Sequence, residues 1–301
     1  MHSGILLLDK PSGLSSNAAL QRVRTLFERV KAGHVGSLDP LATGMLPICL
    51  GEATKVAGDI LAGRKRYRFT VQLGASTATG DAEGAISARA PVPPLDSAAV
   101  AAVLAGFRGT RQQVPPMYSA LKRDGQPLYR LARSGVTVER AARTIELWQL
   151  ELIALSGASL ELETLCSKGT YVRVLAEELG AALGTLGHVT ALRRLYVEPF
   201  EREPMHSLES LARLRAQQLW PRLLAPDWPL ADLPAAHLTA AQAQRVLRGQ
   251  RIAHPLSAPA PRVRLYDELS RFLGIGEADA TGAIQPRRLL ALASATDRRG
   301  R

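Results

Sequence analysis

One stretch of the chain concentrates residue types able to do chemistry. It reads Gly33-His34-Val35-Gly36-Ser37-Leu38-Asp39-Pro40-Leu41-Ala42-Thr43-Gly44-Met45-Leu46-Pro47. Its glycines permit positive φ or close approach of a ligand, and Pro40 biases Asp39 toward an extended backbone outside any helix. Asp39 has three readings. It can be a turn or cap residue bonded to nearby backbone. It can be a metal ligand, against which no second carboxylate and no paired histidine spacing lies nearby. It can be a nucleophile or base, which needs the ionised carboxylate and a cation to hold it so. His34 on its own reads first as a structural hydrogen-bonding residue. The sequence contains no GxGxxG, no Walker A motif and no His-x-x-x-His, which counts against cofactor-dependent redox and phosphoryl transfer.

The charge speaks to the ligand. The 301 residues carry 38 Lys+Arg against 27 Asp+Glu, a net of +11. Such a field favours polyanions: nucleic acid, acidic membrane or phosphorylated ligands. Only six of the 38 are lysine, a bias that a high-GC coding sequence explains, but composition of that kind does not explain the excess of base over acid. Segment 108–143 holds Arg108, Arg111, Lys122, Arg123, Arg130, Arg133, Arg140 and Arg143 against only Asp124 and Glu139. Tyr118 and Tyr129 are interleaved with them, which suits phosphate contact with base stacking; the competing reading is a solvated helix face. Smaller clusters are Arg64–Arg68 and a terminal Arg298–Arg301, read as a frayed tail.

The elements that must position these groups follow from pattern. Gly4–Leu8 is an apolar run ending in a turn, so a strand. Ser15, Ser16 and Asn17 offer N-cap oxygens to a helix running to about Glu28. Residues 33–47 read as loop throughout. Arg66–Leu73 alternates, with Tyr67, Phe69, Val71 and Leu73 on one face. Ser97–Ala105 reads as a helix, Thr144–Leu155 and Ser159–Cys166 as paired strands, and Val172–Leu183 as a helix ended by Gly184. Leu208–Trp220 is predicted to be one amphipathic helix. Ala225–Pro229 marks a boundary, followed by a helix at Thr239–Leu247 and short strands at Val263–Tyr266, Arg271–Ile275 and Gly282–Ile284. Strands and helices without regular βαβ alternation give an α+β fold with a mainly antiparallel mixed sheet. The expected domains are 1–230, with 108–143 as a basic insertion, and a small β-rich 231–301. Cys49 and Cys166 are too few for a disulfide framework. No apolar run reaches the ~18 residues of a membrane span, and no signal peptide opens the chain, so a cytoplasmic protein with no membrane partner is expected.

Gly33–Pro47 resembles the signature loop of the bacterial tRNA pseudouridine-55 synthases, the TruB family. Five further segments are similar to family motifs and run in family order across about 1–200: Leu8–Asn17, Lys65–Arg68, Pro116–Lys122, Cys166–Arg173 and His188–Leu195. Past about 230 the likeness thins to Phe272–Gly276 and Gly282–Pro286, similar to a PUA-type RNA-binding module.

The resemblance implies a pseudouridine-synthase core with a PUA-like C-terminal domain. The implied activity is isomerisation of one uridine in the T-loop of tRNA, by a monomer that needs no cofactor and no metal. It implies Asp39 as the catalytic carboxylate, with the choice among attack on sugar, attack on base and proton removal left open. It implies Arg173 as the partner that keeps Asp39 ionised by lowering its pKa. Tyr67 is implied to stack on the target base, although alternation alone makes it a core aromatic. His34 is implied to fill the space of the extruded base, Tyr171 and Leu192 to line the base pocket, and Lys10 and Pro11 to support the loop. Arg108, Arg111, Lys122, Arg123, Arg130 and Arg133 are implied to grip the RNA, with the C-terminal module on the acceptor end. Two other classes remain in view: a binding-only RNA protein of the same fold, and a glycosidase, for which a second carboxylate beside Asp39 is required.

Overall fold

The computed structural model describes residues 3–123, 125–255 and 260–291; the expected tail at Arg298–Arg301 lies outside them. The strands, in chain order, are β1 (Gly4–Lys10), β2 (Ala32–His34), β3 (Thr43–Leu50), β4 (Lys65–Leu73), β5 (Ala75–Thr77), β6 (Ile86–Arg89), β7 (Gly109–Gln113), β8 (Lys122–Arg123), β9 (Gln126–Pro127), β10 (Arg143–Ser156), β11 (Ser159–Cys166), β12 (Gly187–Val197) and β13 (His206–Ser207). The chain continues with β14 (Ala235–His237), β15 (Ile252–Ala253), β16 (Val263–Tyr266), β17 (Phe272–Ala278) and β18 (Ala283–Leu289). The α-helices are α1 (Ser16–Leu26), α2 (Ala57–Ala62), α3 (Ser97–Ala105), α4 (Leu128–Arg133), α5 (Val172–Ala182), α6 (Leu208–Ala212), α7 (Ala216–Leu219) and α8 (Ala240–Leu247).

A nine-stranded sheet in the order β13-β1-β3-β12-β4-β11-β10-β7, with β2 also on β3, forms the main body. Its pairs are antiparallel except β1–β13 and β12–β3. β1 is buried on both faces. Leu6 and Leu8 join the core that α1, α3 and α5 cover, while Ile5 and Leu7 join a second cluster with Ile60, Val197 and Phe200. That two-sided burial is why its sequence is a continuous apolar run rather than an alternation. β4 is buried on one face only, so its alternation survives: Tyr67, Phe69, Val71 and Leu73 point inward. The second sheet, β14-β16-β17-β18-β15, has its own core around Val246, Val263, Leu265 and Leu273. This α+β architecture with a β-rich C-terminal unit agrees with the fold class read from the sequence. Among the described residues, no helix is long and apolar enough to cross a membrane.

Three expectations are corrected. The loop at 33–47 is shorter, because Gly33-His34 belong to β2 and Thr43–Pro47 to β3; paired backbone leaves only 35–42 free to shape a site. Leu208–Trp220 is not one helix but α6, α7 and a 3-10 turn. Gln218 accepts from the Arg215 backbone and restarts the helix, and the break lets both Leu211 and Trp220 reach the core. The basic segment is not a single insertion: β7 and β10 are strands of the main sheet, which leaves 114–142 as the excursion.

Candidate active site

The loop 35–42 is held from three directions. Lys10, fully buried at the end of β1, donates from Nζ to the carbonyls of Pro11 (2.9 Å), Leu14 (2.7 Å) and Pro40 (3.2 Å). Ser15 caps α1 by accepting from Ala18 N–H, as its position suggests. Ser16 does something else: its buried hydroxyl accepts from Leu38 N–H (2.7 Å) and donates to Leu38 C=O (3.0 Å). Gly13 N–H donates to Pro40 C=O (2.8 Å). Asp39 therefore sits between two tethered residues, Leu38 and Pro40.

Asp39 and Arg173 meet, 134 residues apart in sequence. Arg173 occupies the first turn of α5. Its Nε lies 2.9 Å from Asp39 Oδ2 and its Nη2 lies 3.3 Å from Oδ1, a bidentate pairing. Arg173 is 4% exposed and also donates from Nη1 to Thr79 C=O (2.7 Å) and from Nη2 to Tyr118 C=O (2.6 Å). The guanidinium cannot rotate away without breaking both.

The partner has a second anion. Asp81 Oδ2 lies 3.7 Å from Arg173 Nε, and Asp81 is itself fixed by Thr79 Oγ1 (2.5 Å) and Glu83 N–H (3.1 Å). This corrects the reading that no second carboxylate stands near Asp39. It also corrects the expected direction of the Asp39 pKa. Desolvation in the cleft pushes the carboxyl above its ordinary value, Arg173 pulls it down, and Asp81 pushes it up again, leaving it raised. Asp81 is buried and does not line the cleft, so the pair does not form the facing carboxylates a glycosidase needs.

Asp39 opens on a cleft of about 460 Å³, a size suited to one nucleotide. His34, Tyr67, Tyr171 and Leu192 line it with Asp39 and Arg173. Tyr67 projects from β4 directly across from Arg194 of β12. Burial pushes its phenol up, as it does that of Tyr171. Tyr171 is held through its backbone by Gln113, which accepts from its N–H (2.8 Å) and donates to its C=O (3.2 Å). His34 has its pKa lowered by burial and by Arg194, so it is neutral near pH 7. Pro11 is exposed beside the loop, its carbonyl taken by Lys10.

The basic residues divide. Arg108 donates to Leu150 C=O (3.0 Å). Arg111 pairs with Glu178 (2.8 Å) and stacks on Phe107, so both serve the sheet. Arg123 donates to Glu139 C=O (3.1 Å). Lys122, Arg130 and Arg133 are exposed on 114–142, Arg133 lying over the Tyr129 ring.

Sequence reasoning missed Asp81, Arg194, Ser16 as a loop clasp, and Gln113. Only Arg194 carried a readable signal: it falls on the face of β12 that Leu192 shares, a charge where the alternation calls for an apolar residue.

Residues 24–172 match the TruB family pseudouridylate synthase N-terminal domain, 173–226 the tRNA pseudouridylate synthase B C-terminal domain, and 234–290 the C-terminal domain of pseudouridine synthase II TruB. A tRNA pseudouridine synthase B of Chromohalobacter salexigens is 49% identical over 97% of this chain and 95% of its own length. One of Aromatoleum aromaticum is 50% identical over 95% and 92%. Among solved structures, a Cbf5-Nop10-Gar1 complex superposes with a TM-score of 0.72 at 21% identity, covering 96% of this chain and 85% of the other. That last likeness concerns the fold. Near-complete alignment at half identity, on a chain whose loop carboxylate, buried arginine and cleft tyrosine have converged, shows that this chain belongs to the TruB family of pseudouridylate synthases.

Proposed function

We propose that the chain is a tRNA pseudouridine synthase acting on uridine-55 of the T-loop, with Asp39 as its catalytic carboxylate. The observation that carries this reading is the Asp39–Arg173 pair at the mouth of a nucleotide-sized cleft walled by Tyr67, Tyr171 and Leu192. The reaction detaches uracil from ribose at N1, turns it and rejoins it through C5. It gains and loses no electrons, so it needs acid–base and electrostatic help and no redox group. Asp39 acts as the anion; Arg173, fixed by two carbonyls, holds it in place. Tyr67 offers a flat apolar face for the base, and His34, neutral, fills the stack that the base leaves. Extrusion costs a few kcal/mol, offset by phosphate contacts from Lys122, Arg130 and Arg133 on 114–142 and by stacking. Residues 231–301 form an RNA-binding module that holds the acceptor end of the tRNA, while 1–230 carry the chemistry.

The binding-only alternative loses ground because Asp39, Arg173 and Tyr67 are all present and assembled. The test is pseudouridine mapping on unmodified tRNA incubated with the purified protein. Pseudouridine at position 55 supports the reading. Unmodified uridine, or free uracil in solution, contradicts it.

A further inference from the structure

Beside Tyr67 lie two buried cations that form no salt bridge among the described residues. Arg194 is 1% exposed and Lys65 is 5% exposed. Arg194 donates from Nε to Met45 C=O (2.7 Å) and from Nη2 to Gly36 C=O (2.8 Å), and its Nη1 stands 3.5 Å from Tyr67 Oη. Lys65 Nζ donates to the carbonyls of Leu61 (2.6 Å) and Gly63 (2.5 Å). Both side chains line the cleft, and neither has a carboxylate partner among the described residues. Asp39 and Asp81 are both engaged by Arg173. Glu198 acts on Lys65 from a distance, whereas the charge of Arg194 is met by two carbonyls and the Tyr67 hydroxyl alone among the described residues.

Such an arrangement is costly, since a buried charge is normally paired. The fold nevertheless makes room for it. Gly44 lies opposite Arg194 in the parallel β3–β12 pair, and a Cβ there would come within 2.1 Å of Arg194 C=O. At Gly36, a Cβ would sit 3.2 Å from Nη1. Both glycines have positive φ, +96° and +68°. Gly36 thus leaves room for the Arg194 guanidinium, and Gly44 for close approach of the backbone of the same residue.

We propose that Arg194, assisted by Lys65, is the fixed positive charge that stabilises the detached base as a pyrimidine-dione anion. This rests on the isomerase reading above. When the C1′–N1 bond breaks, its electron pair leaves on N1 and spreads over O2 and O4. C5 of the same ring then bonds to C1′, the C5 proton is lost and N1 takes up a proton, so the composition is unchanged. A cation built into the wall before the reaction stabilises the charge without reorganisation.

The test is single-turnover cleavage of the glycosidic bond in T-arm RNA carrying either uridine or 5-fluorouridine at the target. The fluorinated base is the more acidic leaving group and depends less on outside stabilisation. Arg194→Gln is expected to slow uridine cleavage by roughly 10²–10³-fold, as for loss of one preorganised charge-stabilising donor. It should slow 5-fluorouridine distinctly less and leave RNA affinity unchanged; Arg194→Lys should recover part of the uridine rate. Equal losses on both substrates would mean that Arg194 only shapes the site and would overturn the inference. If Arg194→Gln does not fold, Lys65→Met carries the same test, with a smaller differential of the same sign expected and equal losses overturning it. Wild-type protein that leaves uridine intact would instead refute the isomerase reading itself.

Discussion

Ser16→Ala isolates the clasp on the loop that carries Asp39. The hydroxyl is buried and makes two hydrogen bonds to one residue, Leu38, on the far side of 22 positions of chain. Removing it leaves a buried N–H and C=O with no partner, each costing about 1–3 kcal/mol. Some of this is offset. Ser16 is the first residue of α1, and alanine is the better helix former by about 0.5 kcal/mol. Partial relaxation of the loop toward water lowers the cost further, so a net loss near ~2 kcal/mol is expected. At about 2–4 °C per kcal/mol for a chain of this size class, calorimetry should show Tm down by about 4–8 °C. Leu38 adjoins Asp39, and small misplacements of a reacting group cost up to about 10²-fold in rate. Single-turnover pseudouridine formation should therefore fall tenfold or more, while tRNA affinity holds, because Ser16 does not line the cleft. A variant within about 0.5 kcal/mol of wild type, the range of neutral surface changes, and with an unchanged rate would refute the clasp.

Three further outcomes follow from the same geometry. Because the Asp39 carboxyl is raised, the acid limb of activity should lie above the ordinary carboxylate range, and Asp81→Asn, which removes a neighbouring negative charge, should move that limb to lower pH; an upward or absent shift contradicts the assignment. Burial lowers Lys10 and Lys65 to about 8 from 10.5. Between those values the unfolded chain holds protons that the folded chain has released, so these groups should make stability rise with pH from about 8 upward; Lys65→Met should flatten the rise in urea midpoints, and an equally steep rise in that variant would count against it. Neutralising Lys122, Arg130 and Arg133 together should weaken tRNA binding and reduce its log–log salt slope by about 2–3, whereas Arg111→Ala should cost stability, through the lost Glu178 pair and Phe107 stacking, with little change in slope.

Much of this was legible in the sequence, for reasons that differ by residue. β4 announces itself because one of its faces stays polar, and α5 because its apolar stripe is complete. Asp39 drew notice as the one carboxylate of a Gly/Pro-rich loop, but a turn or cap role competed there with a chemical one, and the resemblance chose between them. Its link to Arg173 came from resemblance, since spacing of 134 residues carries no periodic signal. Asp81 was hidden for a similar reason: Thr79-Gly80-Asp81 reads as an ordinary polar turn, and only the fold brings it under Arg173. Arg108 and Arg111 looked like RNA contacts because charge counts cannot distinguish a free guanidinium from one committed to a neighbouring strand or helix. The break between α6 and α7 was missed because Leu208, Leu211, Ala212 and Leu219 fit a helical period, while Trp220, off that face of such a helix, reaches the core only through the break.

The central claim is that Asp39 performs the chemistry while other surfaces bind the RNA. Its most direct test is Asp39→Asn, a nearly isosteric change, measured for pseudouridine formation on unmodified tRNA and for tRNA affinity in parallel. The account expects no detectable pseudouridine with affinity close to wild type. Turnover retained by the Asp39→Asn protein would contradict it.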